Sequence, residues 1–156
     1  MAQVHHSAIG TRDVAHSLTF WRDGLGLEIL MDESFKGDWP NLFGGTSTTL
    51  RSVFLGDPST LDSGVVELVE MEGMAAAPDE ATGPMAGFFL LSLFADLNEV
   101  LPRLAALGVG GTPRIVTVNG VRLALVHDPN EVRVELMDSA ARSNLARLSS
   151  TPSPTE

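Results

Sequence analysis

The chain has no cysteine among its 156 residues, and that absence removes disulfides, thiolate metal sites and cysteine nucleophiles at once. Any metal centre must therefore be built from nitrogen and oxygen ligands. Basic residues are scarce as well: 10 Lys and Arg stand against 20 Asp and Glu, for a formal charge of -10 and a pI near 4.7. A phosphate-backbone partner needs a basic face, so nucleic acid is excluded as a partner. The acidic surplus keeps such a protein soluble and would suit a cationic ligand. No stretch of about 18 or more uninterrupted apolar residues occurs, and the opening MAQVHHSAIG lacks a basic stretch leading into a long apolar run. These lacks predict a cytoplasmic protein with no membrane partner. Also missing are a phosphate-binding glycine loop, GxSxG and HExxH, so hydride transfer, serine hydrolysis and zincin chemistry have no support.

What is present is a chain that is 44% hydrophobic, enough for one compact domain or two small half-domains sharing a core. Residues 4–11, VHHSAIGT, read as a short strand, and Asp13 is suited to start a helix. In DVAHSLTFWRDGLG the apolar Val14, Leu18, Trp21 and Leu25 share one helical face before Gly26 stops the helix. LEILMDE, STTLRSVFLG and GVVELVEM then read as three strands between turn-rich stretches. The same order recurs. GFFLLSLFAD is a strand, DLNEVLPRLAALG places Leu97, Val100, Leu101, Leu104 and Leu107 on one helical side, and TPRIVTV, VRLALVHD and VRVELMD follow as strands. Pro102 is expected early in that helix, where its missing N–H costs little.

Asp13 and Asp96 are offset by 96 − 13 = 83, and Gly26 and Gly108 by 108 − 26 = 82, so an internal duplication is the simplest account. The closing VEL of each half, around Glu67 and Glu135, is offset by only 135 − 67 = 68. The first half therefore carries about 15 extra loop residues, expected between Ser34 and Thr49 and between Gly56 and Gly64. The expected organisation is a first β-α-β-β-β module at 1–75, a linker at 76–86, a second module at 87–140, and a tail at 141–156, largely disordered after one possible helical turn.

This twofold β-α-β-β-β order, with HxxxxxxD running into FWRDGLGLEI, GVVELVE closing the first half and HDPNEVRVELMD closing the second, resembles the vicinal oxygen chelate superfamily. That superfamily includes glyoxalases, epimerases, bleomycin-resistance proteins and extradiol dioxygenases. The resemblance covers residues 4–138 and implies an α+β fold whose two modules form a curved mixed sheet around a concave cup. It implies a divalent metal in the cup (Mn, Fe(II), Co, Ni or Zn), a small-molecule substrate with vicinal oxygens, and a homodimer, in some members with modules exchanged between chains. Carried over by position, the ligand sites are His6, Glu67 and Glu135, with Phe89, seven residues before Asp96, at the fourth.

Strand parity agrees with this placement, and three of the four positions carry a ligand type. Val66 and Leu68, like Val134 and Leu136, can cover the helices, which turns Glu67 and Glu135 to the cup. His6 shares its face with the small Ala8 and Gly10, leaving His5 on the other face. In the second half, Phe89, Leu91 and Leu93 are expected to form an apolar inward wall. Arg51, Arg114, Arg122, Trp39 and Phe43 are candidate substrate contacts, whereas His16 and His127 are expected on a helix surface and in a turn. A His, Glu, Glu set suits Lewis-acid chemistry, with Glu67 or Glu135 moving a proton. The expected activity is that of a metal-dependent lyase or isomerase of glyoxalase or epimerase type. A metal-free binding or drug-resistance module and a ring-cleaving dioxygenase are the alternatives.

Overall fold

The computed structural model describes residues 1–76, 84 and 86–143. The first module comprises β1 (His6–Gly10), α1 (Val14–Leu18) continuing as a π-helical stretch (Thr19–Gly24), β2 (Glu28–Lys36), α2 (Trp39–Phe43), β3 (Thr49–Gly56) and β4 (Val65–Met71). The second comprises β5 (Leu91–Ala95), α3 (Leu97–Leu107), β6 (Gly110–Val118), β7 (Val121–His127) and β8 (Arg133–Asp138). Each module folds its own four-stranded mixed sheet, in the orders β1-β4-β3-β2 and β5-β8-β7-β6. The first pair in each order is parallel and the others antiparallel. The α+β class and the twofold order are as expected, each module contributing a four-stranded mixed sheet of its own. Most of the expected linker, and the tail from residue 144, lie outside the described residues; the tail opens with a single 3₁₀ turn, Ser139–Ala141.

Local chemistry accounts for the elements. The Asp13 carboxylate accepts the His16 N–H (2.9 Å) and starts α1. Beyond Leu18 the turns widen, and the Leu25 N–H reaches the Phe20 carbonyl five residues back (2.9 Å). The wider turn carries Phe20 into the core beside Trp21, both fully buried and edge to face. In the stretch expected as loop after Ser34, β2 instead runs on to Lys36, paired with Thr49, and Trp39-Pro40 then opens α2. Pro suits the first turn of a helix, where its missing N–H has no partner to lose. In α3, Leu97, Val100 and Leu104 are buried as expected, but Leu107 is exposed. Pro102 is the sixth of the helix's eleven residues, past the first turn where it was expected.

The core lies on the helical side of both sheets. Ile9, Val53, Leu55, Val66 and Leu68 of the first sheet meet α1, α3 and Ala124, Val126, Val134 and Leu136 of the second in one buried cluster. Each large side chain fully buried there stabilises the fold by roughly 1.5–3 kcal/mol. Polar bonds close this seam: Trp21 Nε1 donates to Asp128 Oδ2 (3.2 Å), Asn130 Nδ2 to Ser17 Oγ (3.1 Å), and Arg103 Nε to the Gly24 carbonyl (2.7 Å). A Cβ on Gly24 would lie 2.5 Å from Leu104 Cδ2, so glycine there sets how closely α3 approaches. With the seam on the helical side, the opposite face of each sheet stays open.

Candidate functional site

On the open face of the first sheet, alternation gathers side chains from four strands. His6, Ala8 and Gly10 of β1, Met31 and Phe35 of β2, Leu50, Ser52 and Phe54 of β3, and Glu67, Val69 and Met71 of β4 line a cleft of about 740 Å³. Trp39 and Phe43 of α2, stacked at 5.9 Å and 13°, and Met74 complete it. Val53, Leu55, Val66 and Leu68, the intervening residues, lie in the core, so the expected parity of β1 and β4 is the observed one.

At one end of the cleft, His6 Nε2 lies 3.2 Å from Glu67 Oε2, with the Glu67 side chain 13% exposed. The buried Ser52 hydroxyl donates to Glu67 Oε1 (2.5 Å) and fixes the carboxylate. His5 is nearer the site than parity suggested: its Nδ1 lies 2.8 Å from His6 Nδ1 and its Nε2 3.2 Å from the Leu61 carbonyl, while both rings lie against Phe54. A carbonyl only accepts, so with both imidazoles neutral His5 carries its proton on Nε2 and offers a lone pair at Nδ1. His6 must then donate from Nδ1, which leaves the lone pair of His6 Nε2 facing the Glu67 carboxylate. An imidazole nitrogen and a carboxylate oxygen 3.2 Å apart can share a proton or bind one cation together, and that separation is one that adjacent ligands with bonds of about 2.0–2.2 Å keep around one metal ion. The donor set of this pair therefore fits a divalent metal.

Glu135 occupies the corresponding place in the second sheet. It pairs with Ser92 across the parallel β5–β8 ladder as Glu67 pairs with Ala8 across β1–β4, and the Ser92 hydroxyl donates to Glu135 Oε2 (2.7 Å). The chain thus brings His6 and Glu67 together but holds Glu135 on the other sheet. Among the described residues no group of three or more His, Asp or Glu side chains converges as a metal site.

The second module also corrects the expected apolar wall. Leu91 and Leu93, with Ala95, pack against the core, so the alternate residues Ser92 and Phe94 take the open face. Phe89 precedes β5 and is half exposed, with the Arg133 guanidinium 5.7 Å from its ring. By register the residue two before Ser92, Leu90, is the counterpart of His6, and it too has no ligand atom.

The candidate substrate residues divide. Trp39 and Phe43 wall the cleft. Arg51 does not line it; its guanidinium makes a bidentate bond to Asp32 (2.9 Å each) and lies 3.6 Å from Glu70. That hydrogen bond holds the Asp32 carboxyl below its ordinary range. Arg122 donates to Asn98 (2.9 Å) on α3, and Arg114 lines a polar hollow of about 660 Å³ shared with His16, His127, Asp128 and Glu131. The residues that sequence reading missed are Ser52, whose signal was only its place opposite Glu67's strand, and the methionines 31, 71 and 74.

A family model described as the Glyoxalase/Bleomycin resistance protein/Dioxygenase superfamily matches residues 3–136. The chain is 38% identical over 145 residues to the lactoylglutathione lyase-like protein terB of Aspergillus terreus, covering 86% of this chain and 74% of that one. It is similar in structure to the trypanothione-dependent glyoxalase I of Leishmania major, with a TM-score of 0.68 at 19% identity over 96% of this chain and 95% of that one. A glyoxalase family protein from Bacillus cereus gives a TM-score of 0.69 at 17% identity over 88% of this chain and 94% of that one. At these identities the two structures speak to the fold. Among the described residues, no helix is long and apolar enough to cross a membrane.

Proposed function

The chain belongs to the Glyoxalase/Bleomycin resistance protein/Dioxygenase superfamily, and from that membership we propose that it is a divalent-metal-dependent lyase or isomerase acting on a small substrate with neighbouring oxygens. The observation that carries this reading is the His6–Glu67 pair, an imidazole nitrogen and a carboxylate oxygen 3.2 Å apart at the end of a cleft. His6 and Glu67 of one chain would hold the metal, with Glu135 of a second copy as the third ligand.

A bound divalent ion supplies a Lewis acid that polarises the substrate's oxygen pair. The rest falls to the chain. Ser52 keeps Glu67 oriented, and His5 keeps His6 in the tautomer with a free Nε2. Glu135 has one oxygen engaged by Ser92; its other oxygen would turn to the metal and the substrate, where it can take a proton from carbon and return it to the neighbouring atom. The two-chain arrangement is favoured by the matching registers of Glu67 and Glu135 and by the separation of their sheets within one chain.

Mixing variants tests ligation and assembly together. Metal content of protein purified without chelator should fall in His6→Ala and in Glu135→Gln alone, and return to about a quarter of the sites when the two variants are mixed in equal amounts and reassociated, one intact site in each heterodimer. Equal absence of Mn, Fe, Co, Ni and Zn from wild type and His6→Ala would refute metal dependence; no recovery on mixing would refute the shared site. A metal-free binding module is the second reading, favoured by the pairing of only two ligand side chains, His6 and Glu67, among the described residues of one chain. Thermal stabilisation by small cationic drugs and by no divalent ion would select it.

A further inference from the structure

We propose that the substrate is a neutral, ring-bearing molecule rather than an anionic peptide conjugate; this deepens the reading above and rests on it. The cleft beside His6 and Glu67 is lined by aromatic and thioether side chains, and among the described residues neither lysine nor arginine lines it. Among the described residues its polar side chains, apart from the Trp39 N–H, are His6, Ser52 and Glu67, and the hydroxyl and the carboxylate already bond to each other. A ligand carrying carboxylates would meet a carboxylate and no basic side chain among the described lining residues, on a chain of formal charge -10.

Arg51 shows how this comes about. It stands in β3 between the cleft residues Leu50 and Ser52, so alternation turns it away, and Asp32 and Glu70 hold it there. The aromatic wall is likewise set up for ring faces. The Trp39 indole N–H is taken by the Phe35 carbonyl (3.1 Å), which leaves its stacked face, shared with Phe43, as hydrocarbon surface. Opposite, Met74 closes against Gly10, where a Cβ would come within 3.0 Å of its sulfur, and thioether sulfur is a favourable neighbour for aromatic rings. A volume of about 740 Å³ fits a molecule of one to three rings with its oxygen pair against His6 and Glu67. The second module's contribution on the Glu135 face includes Arg133, whose guanidinium is already held over Phe89.

Benzoin, an uncharged α-hydroxyketone with two phenyl rings, and S-lactoylglutathione, which carries two carboxylates, separate the alternatives. Calorimetric titration of the full chain with each, first in EDTA and then with Mn(II), should give benzoin a dissociation constant at least tenfold lower in both conditions. Trp39→Ala should weaken benzoin at least tenfold, and Trp39→Phe should restore most of the affinity. Equal or tighter binding of S-lactoylglutathione overturns the proposal, as does benzoin affinity unchanged in Trp39→Ala. Benzoin binding that withstands EDTA in a protein that takes up no metal supports this substrate class while removing the metal-dependent reading, so the two ideas fail separately.

Discussion

Replacing Trp21 by Phe should cost about 2–4 kcal/mol of stability, because two losses coincide at the seam between the modules. The first is the bond from Trp21 Nε1 to Asp128 Oδ2, made between side chains of residues 0% and 3% exposed. A hydrogen bond to a charged group is worth about 1.5–3 kcal/mol. Asp128 keeps its other donors, the backbone N–H groups of Asn130 and Val132 and the Asn130 side chain, which favours the lower half of that range. The second loss is volume: roughly 40 Å³ of unfilled space at about 24 cal/mol per Å³ adds about 1 kcal/mol. Urea unfolding followed by far-UV circular dichroism, which does not depend on the lost indole, measures the total. Asp128→Asn and the double variant complete a cycle whose coupling energy isolates the bond. A loss under about 0.5 kcal/mol, the range of an inconsequential surface change, would refute the claim that this contact joins the halves. Two separate transitions in the wild type would do the same, since one shared core should melt as a unit.

Two further outcomes follow from the site and its surroundings. Ser52→Ala removes the buried donor to Glu67 Oε1; titration with Mn(II) or Co(II) should show affinity lower by about 10–100-fold, with the unfolding midpoint little changed, and an unaltered affinity would remove the hydroxyl's role. The Arg51 hydrogen bond lowers the Asp32 pKa below its ordinary 3.8, so the pair's contribution is fully present above that value and is lost as pH falls through the folded-state pKa. Asp32→Asn should therefore be less stable than wild type at neutral pH, by under about 1 kcal/mol for so exposed a pair, and match it at the acid end. A stability gap that widens toward low pH would reverse the sign and sink the assignment.

The duplication was legible because it rests on local signals: Asp13 and Asp96 both cap helices, Gly26 and Gly108 both end them in the left-handed region, and both VEL segments alternate between core and open face. The face of β5 was not legible, for a reason of one residue. Ala8 pairs with Glu67 and Ser92 with Glu135, so the distance from strand to cap is 13 − 8 = 5 in the first module and 96 − 92 = 4 in the second. Counting back seven from Asp96 therefore landed on Phe89, one place out, and a one-residue slip exchanges the two faces of a strand. The helix α2 escaped notice because its five residues are too few for a periodic pattern, and Trp39-Pro40 reads equally well as a turn. The separation of Glu135 from His6 was beyond sequence reading altogether, since it depends on which side of the sheets the modules meet.

The opposite placement of seam and cleft has a consequence for how such a chain can diversify. In β3 and β4, Val53, Leu55, Val66 and Leu68 hold the molecule together, while Phe54, Glu67, Val69 and Met71 look into the cleft, so adjacent codons serve stability and ligand choice in alternation. A lineage, or a designed library confined to the cleft-facing positions, can therefore sample new selectivities while the buried core stays constant.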